Sequence, residues 1–162
     1  MPRDHFSARL ENADRLRRKF GRMQAGVRED VSRETKRGLV NIETGAKRRA
    51  PVDRGPLRNS ITHEMDADQL GGVAGTNSEY GPPVEFGSRP HMPPVQPLID
   101  WARRHGFEDP ESAGWAIALH IARFGTKEQP FLMPAFHEER PKYLRRLRNA
   151  VARRIREEAR QR

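Results

Sequence analysis

Cysteine is absent from the 162-residue chain. No disulfide and no thiolate metal site can therefore be part of its fold, a pattern compatible with a reducing compartment. Aromatic residues make up 7% and all apolar residues 35%, which leaves material for a modest core. No apolar run approaches the length that spans a bilayer, so no membrane partner is expected. Met1-Pro2-Arg3-Asp4-His5 leads into a charged stretch, so no secretory signal is expected either. Internal repeats are lacking. What the chain has in excess is positive charge: 31 Lys/Arg against 22 Asp/Glu, a net +9. Ten of those Lys/Arg, and only two Glu, fall between Arg140 and Arg162. A concentrated basic cluster points to a polyanion or an acidic protein surface, against the plainer alternative of a solvated helix face.

Patterns that carry chemistry are scarce as well. His137-Glu138-Glu139 begins like a zinc-protease helix, but position 141 is Pro where the second His would stand. There is no Gly-Lys-Ser/Thr phosphate loop and no Gly-x-Ser-x-Gly elbow. His91, His105, His120 and His137 lack ligand spacing. The pairs Asp66/Asp68 and Glu138/Glu139 are explained by loop solvation and by helix-start charge. The expectation is no catalytic site, no cofactor site and no metal site.

The chain divides by period. Residues 6–50 read as helix, with Phe6, Leu10, Leu16, Phe20, Val27 and Val31 at three- and four-residue steps and Leu39, Ile42 and Ala46 continuing the stripe. Gly21, Gly26, Gly38 and Gly45 each cost roughly 1 kcal/mol relative to Ala in a helix interior, which predicts a kink or break near Gly21–Gly26. The stripe is narrow for a helix buried in its own domain, which suggests packing on a neighbouring subunit. Residues 57–65 and 72–78 read as two strands joined by the polar, Gly-ended Asp66–Gly72. A short helical turn is expected at Tyr80–Gly87 and a loop at 88–97. Two further helices follow: Pro97 sits in the first turn of one, and Asp109 caps the other, with Gly125 as its stop. The apolar residues of the second, including Trp115, Ile117, Leu119 and Ile121, nearly encircle it and predict burial. Trp115 is read as core in preference to interface, and Trp101 equally as either. Residues 134–160 read as a last helix carrying Leu144, Leu147, Val151 and Ile155, with its regular part starting at Pro141 and its last residues frayed.

The whole is organised around Ala50–Gly87. Pro51 and Pro56 bar helix, and Asp53-Arg54-Gly55 is turn chemistry, with Gly55 free to take positive φ. Leu57-Arg58-Asn59-Ser60-Ile61 follows, then Val73-Ala74-Gly75, Tyr80, Val84-Glu85-Phe86-Gly87 and, later, Pro130-Phe131-Leu132-Met133-Pro134-Ala135. In order and spacing these elements resemble the siphophage tail-completion family, the gene-product-ten-like tail components of lambdoid phages. Arg54 stands where that family usually has Thr, and Pro82-Pro83 stiffen a spot that is usually more helix-compatible. Residues 97–124 look like an insertion that some members carry.

The resemblance implies one α+β domain over 1–162: helical at 6–50, the strand-and-turn motif at 51–87, a loop and two-helix insertion at 88–129, and the Pro-Phe-Leu motif with a long basic helix at 130–162. It implies a structural virion protein of the neck, needed for tail completion and head–tail joining and assembled in the host cytoplasm. The form implied is a closed homo-oligomeric ring, with six copies among the options, that contacts the tail terminator, the head-completion protein or the tape-measure end. Pro51, Gly55, Leu57, Gly75, Tyr80, Glu85, Phe86, Gly87, Pro130, Phe131 and Pro134 are the motif residues that would build it. Glu85 could bind a partner's Arg, form a local salt bridge or stay exposed. Phe131 would pin the last helix to the sheet. Arg145, Arg148, Arg153 and Arg156 are the candidates to face passing DNA or a partner. The alternative reading is a nucleic-acid-binding regulator with a helix-turn-helix-like block from Trp115 to Phe136, although Pro130 and Pro134 sit where a recognition helix would begin.

Overall fold

The computed structural model describes residues 13–53 and 55–160. Phe6, Leu10, Arg54 and the last two residues lie outside it, and so do the expected helix start at residue 6 and the expected frayed end. The element order is α1 (Ala13–Arg49), α2 (Pro56–Ser60), β1 (Ile61–Met65), β2 (Gly72–Thr76), α3 (Gly81–Phe86), α4 (Val95–Arg104), α5 (Pro110–Phe124) and α6 (Leu132–Arg160). The fold is α+β: a long N-terminal helix, a two-stranded antiparallel sheet and a long C-terminal helix, mostly helical overall.

α1 runs without a break, so the division into two segments expected as one option near Gly21–Gly26 is not there. Gly26, Gly38 and Gly45 are instead places of close approach to α6. A Cβ on them would come 3.0 Å from the Arg154 side chain, 3.2 Å from the Tyr143 ring and 3.2 Å from Ala135 Cβ, respectively.

The strand expected from residue 57 begins only at Ile61. Residues 56–60 form one helical turn. Gly55 stands before it at φ 87, Pro56 occupies its first position, and Asn59 N–H donates to the Gly55 carbonyl at 2.9 Å. Proline is pre-set for that first position. Leu57 and Ile61, four residues apart, then fall on one side and both enter the core. β1 alternates as a half-buried strand should and pairs Ile61 with Thr76, His63 with Ala74 and Met65 with Gly72. Two strands alone are marginal; α1 packs along both.

The main core is Ala46, Ala50, Leu57, Ile61, Phe131 and Ala135, with Ile42, Val84 and Leu132 against it. α4 and α5 pack on each other as a side lobe. Gly114 permits the contact, since a Cβ there would lie 2.5 Å from Ile99 Cγ1. α5 opens and closes as its sequence indicates: the Asp109 carboxylate accepts the Ser112 N–H at 3.1 Å, and Gly125 ends the helix at φ 75. Its burial is another matter. Gly114 and Ala118 are buried, but Trp115 is 50% exposed and Leu119 60%. α4 covers only one side of α5, so an encircling apolar pattern leaves the other side in solvent, and the core reading of Trp115 is corrected. α6 starts at Leu132 and continues through Pro141. Pro141 is exposed, so the hydrogen bond it forfeits lies on the solvent side.

Candidate functional site

The motif residues gather in two adjoining places. Pro51, Gly55, Leu57, Tyr80, Val84 and Trp101 line an open cleft of about 560 Å³ between α2, α3 and α4. Tyr80 is 70% exposed at its rim, and the Trp101 ring stacks on His105 with centroids 4.1 Å apart. The second place joins α3 to α6. Gly81, Pro82 and Pro83 fill the first turn of α3, where backbone N–H groups have no partner within the helix, so both prolines fit. That turn delivers Glu85 to the start of α6.

Glu85 is 5% exposed and takes none of the three roles considered for it. Its carboxylate accepts the backbone N–H of Phe131 and Leu132 at 2.8 Å each and of Met133 at 2.9 Å. Pro134, next in line, has no N–H to satisfy. One carboxylate thus completes the helix start, where negative charge is also favoured by the helix dipole. Phe131 drops into the core at 1% exposure, while Phe86 stays 70% exposed and Pro130 is exposed. Gly87, at φ 72, lets the chain turn against the 126–128 backbone. Gly75 lies in β2 opposite Thr62, with open space where a Cβ would be.

The residues that open α6 are therefore tied to Glu85 and to the core. That leaves the helix-turn-helix reading without a free recognition helix among the described residues.

α1 and α6 form an antiparallel pair with an unusually polar seam. Asp30, 1% exposed, accepts from Arg154 Nε at 2.9 Å and Nη2 at 3.2 Å, and also pairs with Arg33. The Arg154 hydrogen bond holds the Asp30 carboxyl below its ordinary range, against the opposing effect of burial and with help from Arg33. Arg146 reaches Glu34 at 3.0 Å and also Glu139. Burial opposes the charge on Arg146, but the hydrogen bonds to Glu139 and Glu34 outweigh it and raise its pKa. Asn41 donates to Glu139 at 3.1 Å, and Thr35 Oγ1 lies 3.1 Å from the Tyr143 hydroxyl.

This seam sorts the other residues. An α-helix turns about 100° per residue. Residues one position after the seam fall on one side of the pair, and residues one position before it on the other; because the helices are antiparallel, the two "after" rows share a side. The rows after the seam are Val27, Val31, Thr35, Leu39, Ile42 and Ala46 on α1, and Leu144, Leu147, Val151 and Ile155 on α6. A groove lined by Thr35, Leu39, Ile42, Leu70, Phe136 and Leu144 marks this apolar side, where the β-hairpin packs. The rows before the seam carry Arg33, Arg37 and Arg48 on α1, and Lys142, Arg145 and Arg153 on α6. A second groove, of about 540 Å³ and lined by Thr44, Arg48, Glu138 and Lys142 among others, marks this basic side.

Arg145 and Arg153 therefore share the basic side. Arg148 and Arg156, two positions past Arg146 and Arg154, point away from α1. All four are exposed, and only Arg153 has a nearby carboxylate, Glu157 at 3.9 Å, among the described residues. The α1 arginines were missed in the tail-centred reading. Their signal was the four-residue step from Arg33 to Arg37, opposite the apolar stripe.

Residues 14–87 match the model of the HK97-gp10-like family, described as "Bacteriophage HK97-gp10, putative tail-component". This segment is HK97-gp10-like. It takes in α1 from Asp14, α2, the β-hairpin and α3, and ends at Gly87. No curated protein and no solved structure matches the chain. The HK97-gp10-like match supports a structural role as a bacteriophage tail component, with a place in the virion. Among the described residues, no three His, Asp or Glu side chains converge as metal ligands would, and no helix is long and apolar enough to cross a membrane.

Proposed function

We propose that this chain completes the head-proximal end of a phage tail and joins it to the head, acting through surfaces rather than through a reaction. The observation that carries this is the balance of apolar surface. Among the described residues, fifteen large apolar side chains are 40% or more exposed, while the buried apolar set numbers eleven, six of them alanines. A chain that buries so little by itself gains from neighbours, and closed symmetric assembly is the common solution. In this reading the protein forms a homo-oligomeric ring in the neck, seated against the tail terminator, the head-completion protein or the tape-measure end.

The test is complementation of a phage lacking this gene, scored by infectious titre and by electron microscopy of heads and tails. The deletion should yield filled heads and unjoined tails, and the gene supplied in trans should restore joined particles. Joined, infectious particles in the deletion strain would refute the assignment.

A further inference from the structure

We propose that the basic side of the α1/α6 pair is a binding face for the phosphate backbone of duplex DNA. The neck reading supplies its setting; the face itself rests on the geometry.

Arg33, Arg37 and Arg48 from α1 and Lys142, Arg145 and Arg153 from α6 lie in the two rows before the seam, with Glu29 and Glu138 as the acids in those rows. Arg37, Arg48 and Arg145 have no carboxylate within ion-pair distance among the described residues, whereas Arg146 and Arg154 in the seam are matched by Glu34, Glu139 and Asp30. The chain thus neutralises arginine where it packs and leaves Arg37, Arg48 and Arg145 unmatched on one outer side, while Arg33, Lys142 and Arg153 there keep Asp30, Glu138 and Glu157 beside them. The opposite side carries Arg140 in its rows, and its other charges, Glu43 and Arg28, are engaged by the hairpin through His63 and the Asp68 carbonyl. Each helix carries one basic row, and only the folded pair brings the two rows onto one side.

Shape selects the ligand. The basic positions run from Arg33 to Arg48 along α1, so the face is roughly 22 Å long, enough to follow about two thirds of a turn of duplex. Two helices side by side are too wide for a major groove about 12 Å across. They must lie over the strands, where Arg forks suit phosphate oxygens and no base is read. The basic rows contain no aromatic residue, so the stacking platform typical of single-strand binding is missing.

The test is fluorescence anisotropy of the full chain with two unrelated duplexes roughly three helical turns long, across a salt series. The expected result is equal affinity for both sequences, with a log–log salt slope of about −0.9 per phosphate contact. The variant Arg37→Gln, Arg48→Gln, Arg145→Gln, Arg153→Gln should bind at least about tenfold more weakly and flatten the slope by about 3 to 4. A control, Arg58→Gln, Arg89→Gln, Arg103→Gln, Arg123→Gln, removes the same charge elsewhere and should bind within roughly twofold of wild type. Circular dichroism melting of both variants verifies folding, and Lys at the four face positions should restore binding. No duplex binding at low salt, tighter binding to single strands, or equal losses in both variants would overturn the proposal. A face variant that loses DNA yet still joins heads to tails would leave the neck assignment standing. A wild-type gene that fails to complement the deletion would sink that assignment and leave the binding result intact.

Discussion

At the scale of single residues, Glu85 is the strongest structural commitment in the chain. Three backbone donors converge on its carboxylate inside the fold. Hydrogen bonds to a charged group are worth roughly 1.5–3 kcal/mol, and buried donors left bare cost the full desolvation penalty. Glu85→Ala should therefore lower stability by about 2–4 kcal/mol. Glu85→Gln keeps one carbonyl acceptor and turns an amide NH2 toward the donors, so about half that loss is expected. Chemical denaturation checks this: the midpoint should fall at unchanged slope. A wild-type midpoint for Glu85→Ala would mean that water replaces the carboxylate without cost. Two glycines offer a graded comparison. Gly55 has φ 87, but a Cβ there would meet only Asn59 Nδ2 at 3.6 Å. Gly125 has φ 75, and a Cβ there would lie 1.9 Å from the Ser88 carbonyl oxygen. Gly55→Ala carries backbone strain alone, about 1 kcal/mol. Gly125→Ala adds a clash with backbone that cannot swing aside, so it should lower the melting temperature markedly more. Equal shifts would show that the backbone pairing beside Gly125, where Ser88 N–H donates to the Thr126 carbonyl at 3.1 Å and Thr126 N–H to the Ser88 carbonyl at 3.2 Å, yields easily.

At the scale of elements, the α1/α6 seam makes stability pH-dependent. The Asp30 carboxyl is held below its ordinary value of 3.8, chiefly by Arg154. Glu43 is likewise depressed from 4.5, first by Lys47 and then by His63. A depressed carboxylate contributes stability above its unfolded pKa and loses it as pH falls through the folded one. Thermal midpoints should thus hold to about pH 5 and drop below about pH 4. Asp30→Asn should be less stable at pH 7, because Arg154 loses its counter-charge, yet show a shallower acid limb. An acid limb unchanged in the variant would remove Asp30 from the account. Elements of this kind were only partly legible in the sequence. The ends of α5 could be read because Asp109, Pro110 and Gly125 act locally. The turn at 56–60 was hidden because Leu57, Asn59 and Ile61 satisfy a strand's alternation, while Leu57 and Ile61 equally satisfy a helix's four-residue step. The role of Glu85 was out of reach because its donors lie 46 to 48 residues away. The seam escaped because the α6 contacts to α1 use Ala135, Glu139, Tyr143, Arg146 and Arg154, whereas the eye follows Leu144, Leu147, Val151 and Ile155.

At the scale of the whole molecule, those four apolar residues of α6 decide the last prediction. They share a side with Val27 and Val31, and the β-hairpin lies along that side from Ile42 to Thr35, with its loop met by Arg28. Toward the start of α1 and the end of α6 the side stays open: Phe20 is 55% exposed and Ile155 49%. The basic side faces the other way, so a neighbour seated on the apolar side leaves the arginines free. A second copy of the chain is the expected occupant, and light scattering should show a closed oligomer. Val151→Glu with Ile155→Glu tests the interface. Ile155 already meets water, so the double variant should fold as a monomer with little loss. In an interface the arithmetic reverses. Covering half a branched side chain is worth on the order of 1 kcal/mol, whereas burying an unpaired carboxylate costs several. The second effect dominates, so association should weaken by about a hundredfold or more and the scattering mass should fall to one chain. The variant should also fail to join heads and tails even though its circular dichroism is normal. An oligomer of unchanged mass would place the subunit contact elsewhere, with the exposed Trp115 side of α5 next in line. A wild-type chain that stays a stable monomer at high concentration, and binds no tail protein, would remove the ring altogether.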